Sequence, residues 1–155
     1  MGDFMARKKI AQVLVTAFVA AGALAIAAPA FAGNVGSYLR RDLSSGTAPT
    51  LLYVNDYIQR SSGSTYYWLI LQSDGNLVLY KGNASHVATK ACWWSGTQGQ
   101  SSGRAVYQSD GNFVIYHTNN YALWGSNTYG GSGTTVDINA SGRLYVGNTP
   151  ISSAC

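Results

Sequence analysis

The chain contains no glutamate; all six of its acidic residues are aspartate. Charged residues make up only 10% of the sequence, far below the roughly 25% of an average soluble domain. Long solvated helices, coiled coils and charged disordered tails all need more charge than this. Two Cys and two His are too few for a Cys/His zinc cluster, so no metal and no cofactor is expected. What the sequence has instead is 18 Gly, eleven Tyr and four Trp. That composition favours short strands and turns over helices. At about 150 residues per domain, a length of 155 residues predicts one domain.

The first 32 residues read as a signal peptide. Arg7, Lys8 and Lys9 are a basic start, an Ala-rich apolar run begins at Ile10, and Ala30-Phe31-Ala32 is an A-x-A cleavage site. The run is about 20 residues, long enough to span a bilayer; the cleavage site and the polar chain beyond it favour removal. A mature chain Gly33–Cys155 would be secreted. Three of the ten Lys/Arg and one of the six Asp lie in the leader, so the net charge of the remainder falls to +2. No basic patch is left to suggest nucleic acid, and no further segment could span a membrane. Export places Cys92 and Cys155 in an oxidising compartment, where an even pair is expected to form a disulfide. An intrachain bond would pin the C-terminus to the connection before Trp93; an intermolecular bridge is the alternative.

The remainder is organised by repeats. Leu71–Tyr80 reads LQSDGNLVLY and Tyr107–Tyr116 reads YQSDGNFVIY. Trp93-x-Ser95-x-Thr97-x-Gly99 starts 17 residues before Asp110, and Trp124-x-Ser126-x-Thr128-x-Gly130 starts 17 before Ser141. Tyr57-x-Gln59-x-Ser61-x-Gly63, 17 before Asp74, is a blurred copy. Three units follow, 57–80, 93–116 and 124–147, and such self-similarity means one supersecondary element repeated, each copy burying its apolar face on the others.

Each unit reads as a hairpin. A two-residue Asp-Gly loop would pair Gln72 with Leu77 and mix polar with apolar residues. A three-residue loop, Ser73-Asp74-Gly75, pairs Gln72 with Asn76 and gives Gly75 the left-handed position. In that register Leu69, Leu71, Leu77 and Leu79 share one face, and Gln72, Asn76, Val78 and Tyr80 share the other, with Asp74 at the tip. The second unit matches: Tyr107, Phe113 and Ile115 on the core face, and Gln108, Asn112, Val114 and Tyr116 opposite. The third keeps its core face (Val136, Ile138, Leu144, Val146) but replaces the polar set with Asn139, Ser141, Arg143, Tyr145 and Gly147. A polar set needed only for folding should persist with the core, so its loss points to binding in units one and two.

Gln and Asn amides, an Asp carboxylate and a Tyr hydroxyl around one Val suit a sugar, whose hydroxyls donate and accept beside a small C–H patch. Turn formation alone accounts for Asp74, Gly75 and Asn76, but not for Gln72 and Tyr80 recurring at fixed offsets. The runs Gln72-x-Asp74-x-Asn76-x-Val78-x-Tyr80 and Gln108-x-Asp110-x-Asn112-x-Val114-x-Tyr116 resemble the Q-x-D-x-N-x-V-x-Y motif of the bulb-type (monocot-type) mannose-binding lectins, and the W-x-S-x-T-x-G phrases are similar to theirs. The resemblance implies an all-β, β-prism II fold: three four-stranded antiparallel sheets in pseudo-threefold symmetry, with Trp in the core. It also implies that Asp74 and Asn76 hold the mannose 2-hydroxyl, Gln72 the 3-hydroxyl and Tyr80 the 4-hydroxyl, while Val78 packs on the ring. Asp110, Asn112, Gln108, Tyr116 and Val114 take the same roles. The partners implied are mannose-containing glycans. A homodimer stays open.

These readings divide the chain into a signal peptide (1–32), an N-terminal arm of unknown role (33–50, with Arg40-Arg41-Asp42), a lectin domain (51–149) and a tail (150–155). A glycosidase typically needs two carboxylates flanking one bond. Here Asp74 and Asp110 sit on different repeats, and His86 and His117 lie in separate connections with no nucleophile elbow, so no enzyme is expected. A lectin-like bacteriocin or a protein-binding β-prism is the alternative function.

Overall fold

The computed structural model describes residues 33–41 and 49–155; the proposed signal peptide and Asp42 lie outside these. In chain order the strands are β1 (Gly33–Gly36), β2 (Tyr38–Arg40), β3 (Leu51–Tyr53), β4 (Asp56–Ser62), β5 (Thr65–Leu71), β6 (Leu77–Gly82), β7 (Ala88–Trp94), β8 (Ser102–Tyr107), β9 (Phe113–His117), β10 (Ala122–Gly125), β11 (Thr135–Ile138), β12 (Leu144–Val146) and β13 (Thr149–Pro150). No helix occurs among the described residues, so none there is long and apolar enough to cross a membrane.

The strands form three sheets with the orders β1-β4-β5-β6-β7, β10-β9-β8-β3 and β13-β12-β11-β2. This is the expected threefold β-prism, with one correction. The first sheet has five strands, because β1 adds in parallel along the outer edge of β4, Asn34 beside Tyr57. An unpaired strand edge exposes a row of backbone donors and acceptors, and β1 satisfies part of that row. The stretch read as an arm thus supplies β1 and β2, and Leu39 of β2 is fully buried. Arg41, just beyond β2, donates to the Gly131 carbonyl (2.6 Å) and lies over the Tyr107 ring (5.5 Å).

The period-two pattern decides which face turns inward. Leu69, Leu71, Leu77 and Leu79 from the first sheet meet Ala105, Tyr107, Phe113 and Ile115 from the second. Val136, Ile138, Leu144 and Val146 of the third complete one buried cluster. Burying each such side chain stabilises the fold by about 1.5–3 kcal/mol. Trp93 and Trp124 are half-buried against this core, edge to face at 5.5 Å. The other two Trp depart from the implied core placement. Trp68 is fully buried in a second cluster on the outer face of the first sheet, and Trp94 is exposed.

Cys92 and Cys155 form an intrachain disulfide, Cα atoms 5.5 Å apart and 63 residues apart in sequence. The bond ties the C-terminus to β7. The Cys155 N–H also donates to the Ser141 carbonyl at 3.0 Å, so the tail braces the third hairpin turn.

Candidate functional site

The three-residue loops form as expected. Gln72 N–H donates to the Asn76 carbonyl (2.8 Å) and Gly75 N–H to the Gln72 carbonyl (3.0 Å); Gln108, Asn112 and Gly111 repeat this at 2.9 and 3.0 Å. Gly75 and Gly111 both have φ of 89°, the left-handed region in which a side chain is strained. At Gly75 a Cβ would also run into the Gln100 carbonyl. The polar residues of both motifs therefore stand on the outer faces of the first and second sheets.

Each motif is held from behind by a W-x-S-x-T-x-G phrase, a role the sequence did not reveal. Asn76 Oδ1 accepts from Ser95 Oγ (3.1 Å), Gly96 N (3.1 Å) and Thr97 N (3.2 Å). Ser95 Oγ also accepts from Leu77 N, Thr97 Oγ1 donates to the Gly75 carbonyl, and Gly99 N donates to the Asp74 carbonyl. The second motif is clamped alike: Ser126 Oγ and Thr128 N donate to Asn112 Oδ1 at 3.1 and 3.3 Å, Thr128 Oγ1 donates to the Gly111 carbonyl, and Gly130 N donates to the Asp110 carbonyl. With its oxygen occupied, each Asn turns its NH2 outward as a donor. The phrases therefore close the preceding sheet rather than open the following one: Trp93 lies in β7 of the first sheet and Trp124 in β10 of the second. The blurred copy at Tyr57 lies in β4, whose Tyr57 and Gln59 stand opposite Ile70 and Trp68 on the outer face of the first sheet.

Asp74 and Asp110 each spend one carboxylate oxygen on their own turn, accepting Asn76 N (2.9 Å) and Asn112 N (2.8 Å). The second oxygen of each has no hydrogen-bond partner among the described residues. Gln72 Nε2 donates to Tyr80 Oη at 3.1 Å and Gln108 Nε2 to Tyr116 Oη at 2.6 Å, so each phenol keeps its own proton to give. Burial pushes the Tyr80 hydroxyl above the usual phenol range, opposed by the Gln72 hydrogen bond and helped by the Asp74 charge; the phenol stays protonated.

Access separates the two motifs. In the first, Gln72 and Asn76 are 8% exposed, Tyr80 5% and Val78 3%. Trp68 stands opposite Tyr80 with ring centres 5.7 Å apart. The β6–β7 turn, braced by Asn83 Oδ1 accepting Ser85 N and Val87 N, carries His86 across this face. The His86 ring meets Trp68 and Tyr57 edge-on at 5.0 and 5.1 Å, and its Nε2 lies 2.8 Å from Gln59 Oε1. Trp94 stands opposite Val78, where the second sheet has Gly125 opposite Val114. In the second motif Asp110 is exposed and Gln108, Asn112 and Tyr116 are only half-buried.

The third face has been rebuilt. Asn139, in the place of the motif Gln, turns its Oδ1 back onto Ser141 N, Ser141 Oγ and Arg143 N, and Arg143 replaces the Asn whose oxygen accepts the clamp in the other motifs. Tyr145 takes the place of Val, and Gly147 that of the motif Tyr. An open groove of about 370 Å³ results, lined by Thr135, Asp137, Asn139, Tyr145, Gly147 and Asn148.

No family profile and no curated protein matches the chain, but solved structures do. A lectin from Allium sativum is 31% identical with a TM-score of 0.54, over 70% of this chain and 90% of that one. This chain belongs to the bulb-type lectin family. A mannose-specific bulb lectin from the bluebell Scilla campanulata matches at a TM-score of 0.61 and 25% identity, over 70% of this bulb-type lectin and 88% of the bluebell chain. The mannose-specific agglutinin from snowdrop (Galanthus nivalis) bulbs, complexed with methyl-α-D-mannoside, matches at 0.56 and 26% identity, over 73% and 90%.

Proposed function

We propose that this bulb-type lectin is a secreted protein that binds terminal mannose, with the second-sheet motif as its principal site. Gln108, Asp110, Asn112 and Tyr116 would bond the sugar hydroxyls while Val114 packs on the ring. The observation that carries this reading is the clamp: Ser126 and Thr128 occupy Asn112 Oδ1 and turn the amide donor outward beside an exposed Asp110. Similarity to lectins whose names state mannose specificity supports the sugar class. The first motif offers the same groups, Gln72, Asp74, Asn76, Val78 and Tyr80, beneath the aromatic cover. Gln72, Asn76, Val78 and Tyr80 expose little surface to a sugar, so the first site is the weaker one.

About four net hydrogen bonds at ~0.5–1.5 kcal/mol each, set against lost ligand freedom, give roughly millimolar affinity for a monosaccharide. Secretion follows from the leader and accords with the disulfide, which persists in oxidising compartments. Calorimetric titration of residues 33–155 with methyl α-mannoside tests the reading. One site should fill first, with the other at least about tenfold weaker. Asp110→Ala should remove the tighter phase and Asp74→Ala should leave it. Two equal phases, or tight binding that survives Asp110→Ala, would contradict the assignment.

A further inference from the structure

The residue opposite the last motif position differs on each face: Trp68 opposite Tyr80, Arg104 opposite Tyr116, and Thr135 beside Gly147. On the second face this puts a cation at the edge of the open motif. The Arg104 Cζ lies 5.0 Å from the Tyr116 ring centre, and Nη1 donates to Asn120 Oδ1 at 2.8 Å. Asn120 holds that position with φ of 68°, in the left-handed region that a non-Gly residue adopts at a cost. The guanidinium is thus held in place at the surface, yet no carboxylate among the described residues pairs with it. Asp56 and Asp110 are otherwise engaged: Asp56 accepts Tyr53 N at 3.0 Å, and Asp110 sits at the far end of the motif, bonded to Asn112 N. Four of the five guanidinium N–H donors have no acceptor among the described residues. Across β8, Tyr53 stands opposite Arg104 and is 59% exposed, which extends the face by one aromatic surface.

We propose that Arg104 makes the second site selective for anionic mannose glycans, in which a phosphate ester or a uronic-acid carboxylate lies next to the mannose held by the motif. The inference rests on the mannose reading above and names its ligand class. A planar guanidinium matches both anions through two parallel N–H bonds. Tyr116 Oη, the motif group beside it, faces the 4-hydroxyl end of the sugar in that reading, so a charged substituent on that side reaches the guanidinium. Neither of the other faces offers a cation at this position.

The test compares methyl α-mannoside, mannose 6-phosphate, a glucuronosyl-mannose disaccharide and inorganic phosphate on residues 33–155 by calorimetry. At least one of the two anionic mannosides should bind roughly tenfold tighter than methyl mannoside in low salt, the modest end for a charge-assisted pair. Which of them does so separates phosphate from carboxylate recognition. The advantage should shrink in about 0.5 M salt. In Arg104→Gln the ratio of anionic to neutral affinity should fall close to one, and Arg104→Lys, which keeps the charge without the fork, should retain part of it. Equal affinities in the wild-type protein, or a preference that survives Arg104→Gln in a variant with native near-UV circular dichroism, would overturn the inference while leaving mannose binding standing. Inorganic phosphate binding as tightly as mannose 6-phosphate would overturn it as well, since the sugar would then contribute nothing. No binding of any mannoside would overturn the mannose reading itself, and this inference with it.

Discussion

Ser126→Ala separates the clamp from the groups that would touch the sugar. Ser126 Oγ accepts the Phe113 N–H at 3.0 Å and donates to Asn112 Oδ1 at 3.1 Å, and the hydroxyl itself lies behind the motif. Its removal deletes these two hydrogen bonds and the 2.7 Å hydroxyl contact with Thr128 Oγ1; at about 0.5–1.5 kcal/mol each, the total is near 3 kcal/mol. For a domain of this size that lowers the melting temperature by roughly 10 °C. The site should respond as well. Asn112 Oδ1 would keep only the longer bond from Thr128 N, at 3.3 Å. The amide would then sample the wrong orientation, and mannose affinity should drop about three- to tenfold, the worth of roughly one hydrogen bond. Scanning calorimetry and sugar titration on the same sample measure both effects. Ser109→Ala, at an exposed position of the same loop, is the control and should shift stability by less than about 0.5 kcal/mol. A melting point lowered with unchanged affinity would refute the orienting role of the clamp. If neither changes, the clamp contributes nothing to either property.

Other outcomes follow from the same geometry. Opening the Cys92–Cys155 bond, which closes 63 residues, should cost about 4 kcal/mol in the chain-entropy description; denaturant melts of the wild type and Cys92→Ser/Cys155→Ser measure it, and a loss below about 1 kcal/mol would contradict the bracing role of the tail. Gly75→Ala should destabilise by at least about 1 kcal/mol more than Gly111→Ala, although both share φ of 89°. The new methyl meets the Gln100 backbone in the first case and mainly the movable end of Arg41 in the second; equal losses would show that the backbone contact is not the cause. Burial lowers the His86 pKa, so the neutral ring's contribution is full above the ordinary imidazole value near 6.5 and is lost as the pH falls through the lowered folded value. The melting temperature should therefore fall on acidification across that window and flatten in His86→Asn; identical pH profiles for the two proteins would exclude His86 as the source.

Much of the fold was legible because its signals are local. Alternation around Leu69–Leu79 and the need to seat Gly75 in a left-handed turn set the hairpin register without any tertiary information. The division between core and polar faces followed from it, and Val136, Ile138, Leu144 and Val146 are all buried. Leu39 was not legible: Val35, Leu39 and Leu43 are scattered among Gly and polar residues with no two-residue alternation to mark which of them enters the core. Direction was equally hidden in the W-x-S-x-T-x-G phrases. Their forward spacing to the next turn position, Asp110 or Ser141, is 17 residues, but their hydrogen bonds run backward to the preceding turn, 19 to 22 residues away in the first motif. The aromatic cover could not be read either. The two motifs share every functional residue type, and what distinguishes them is Trp68 and Trp94 on neighbouring strands and His86 from the following connection. Such side chains come together only across strands.

The most direct measurement is a crystal structure of residues 33–155 with methyl α-mannoside. The account predicts the sugar over Val114 on the second sheet, bonded to Gln108, Asp110, Asn112 and Tyr116, with the first motif filled only at higher sugar concentration. A mannoside seated instead in the Asp137–Tyr145 groove of the third sheet, or lying over Val78 while the Val114 site stays empty, would contradict it.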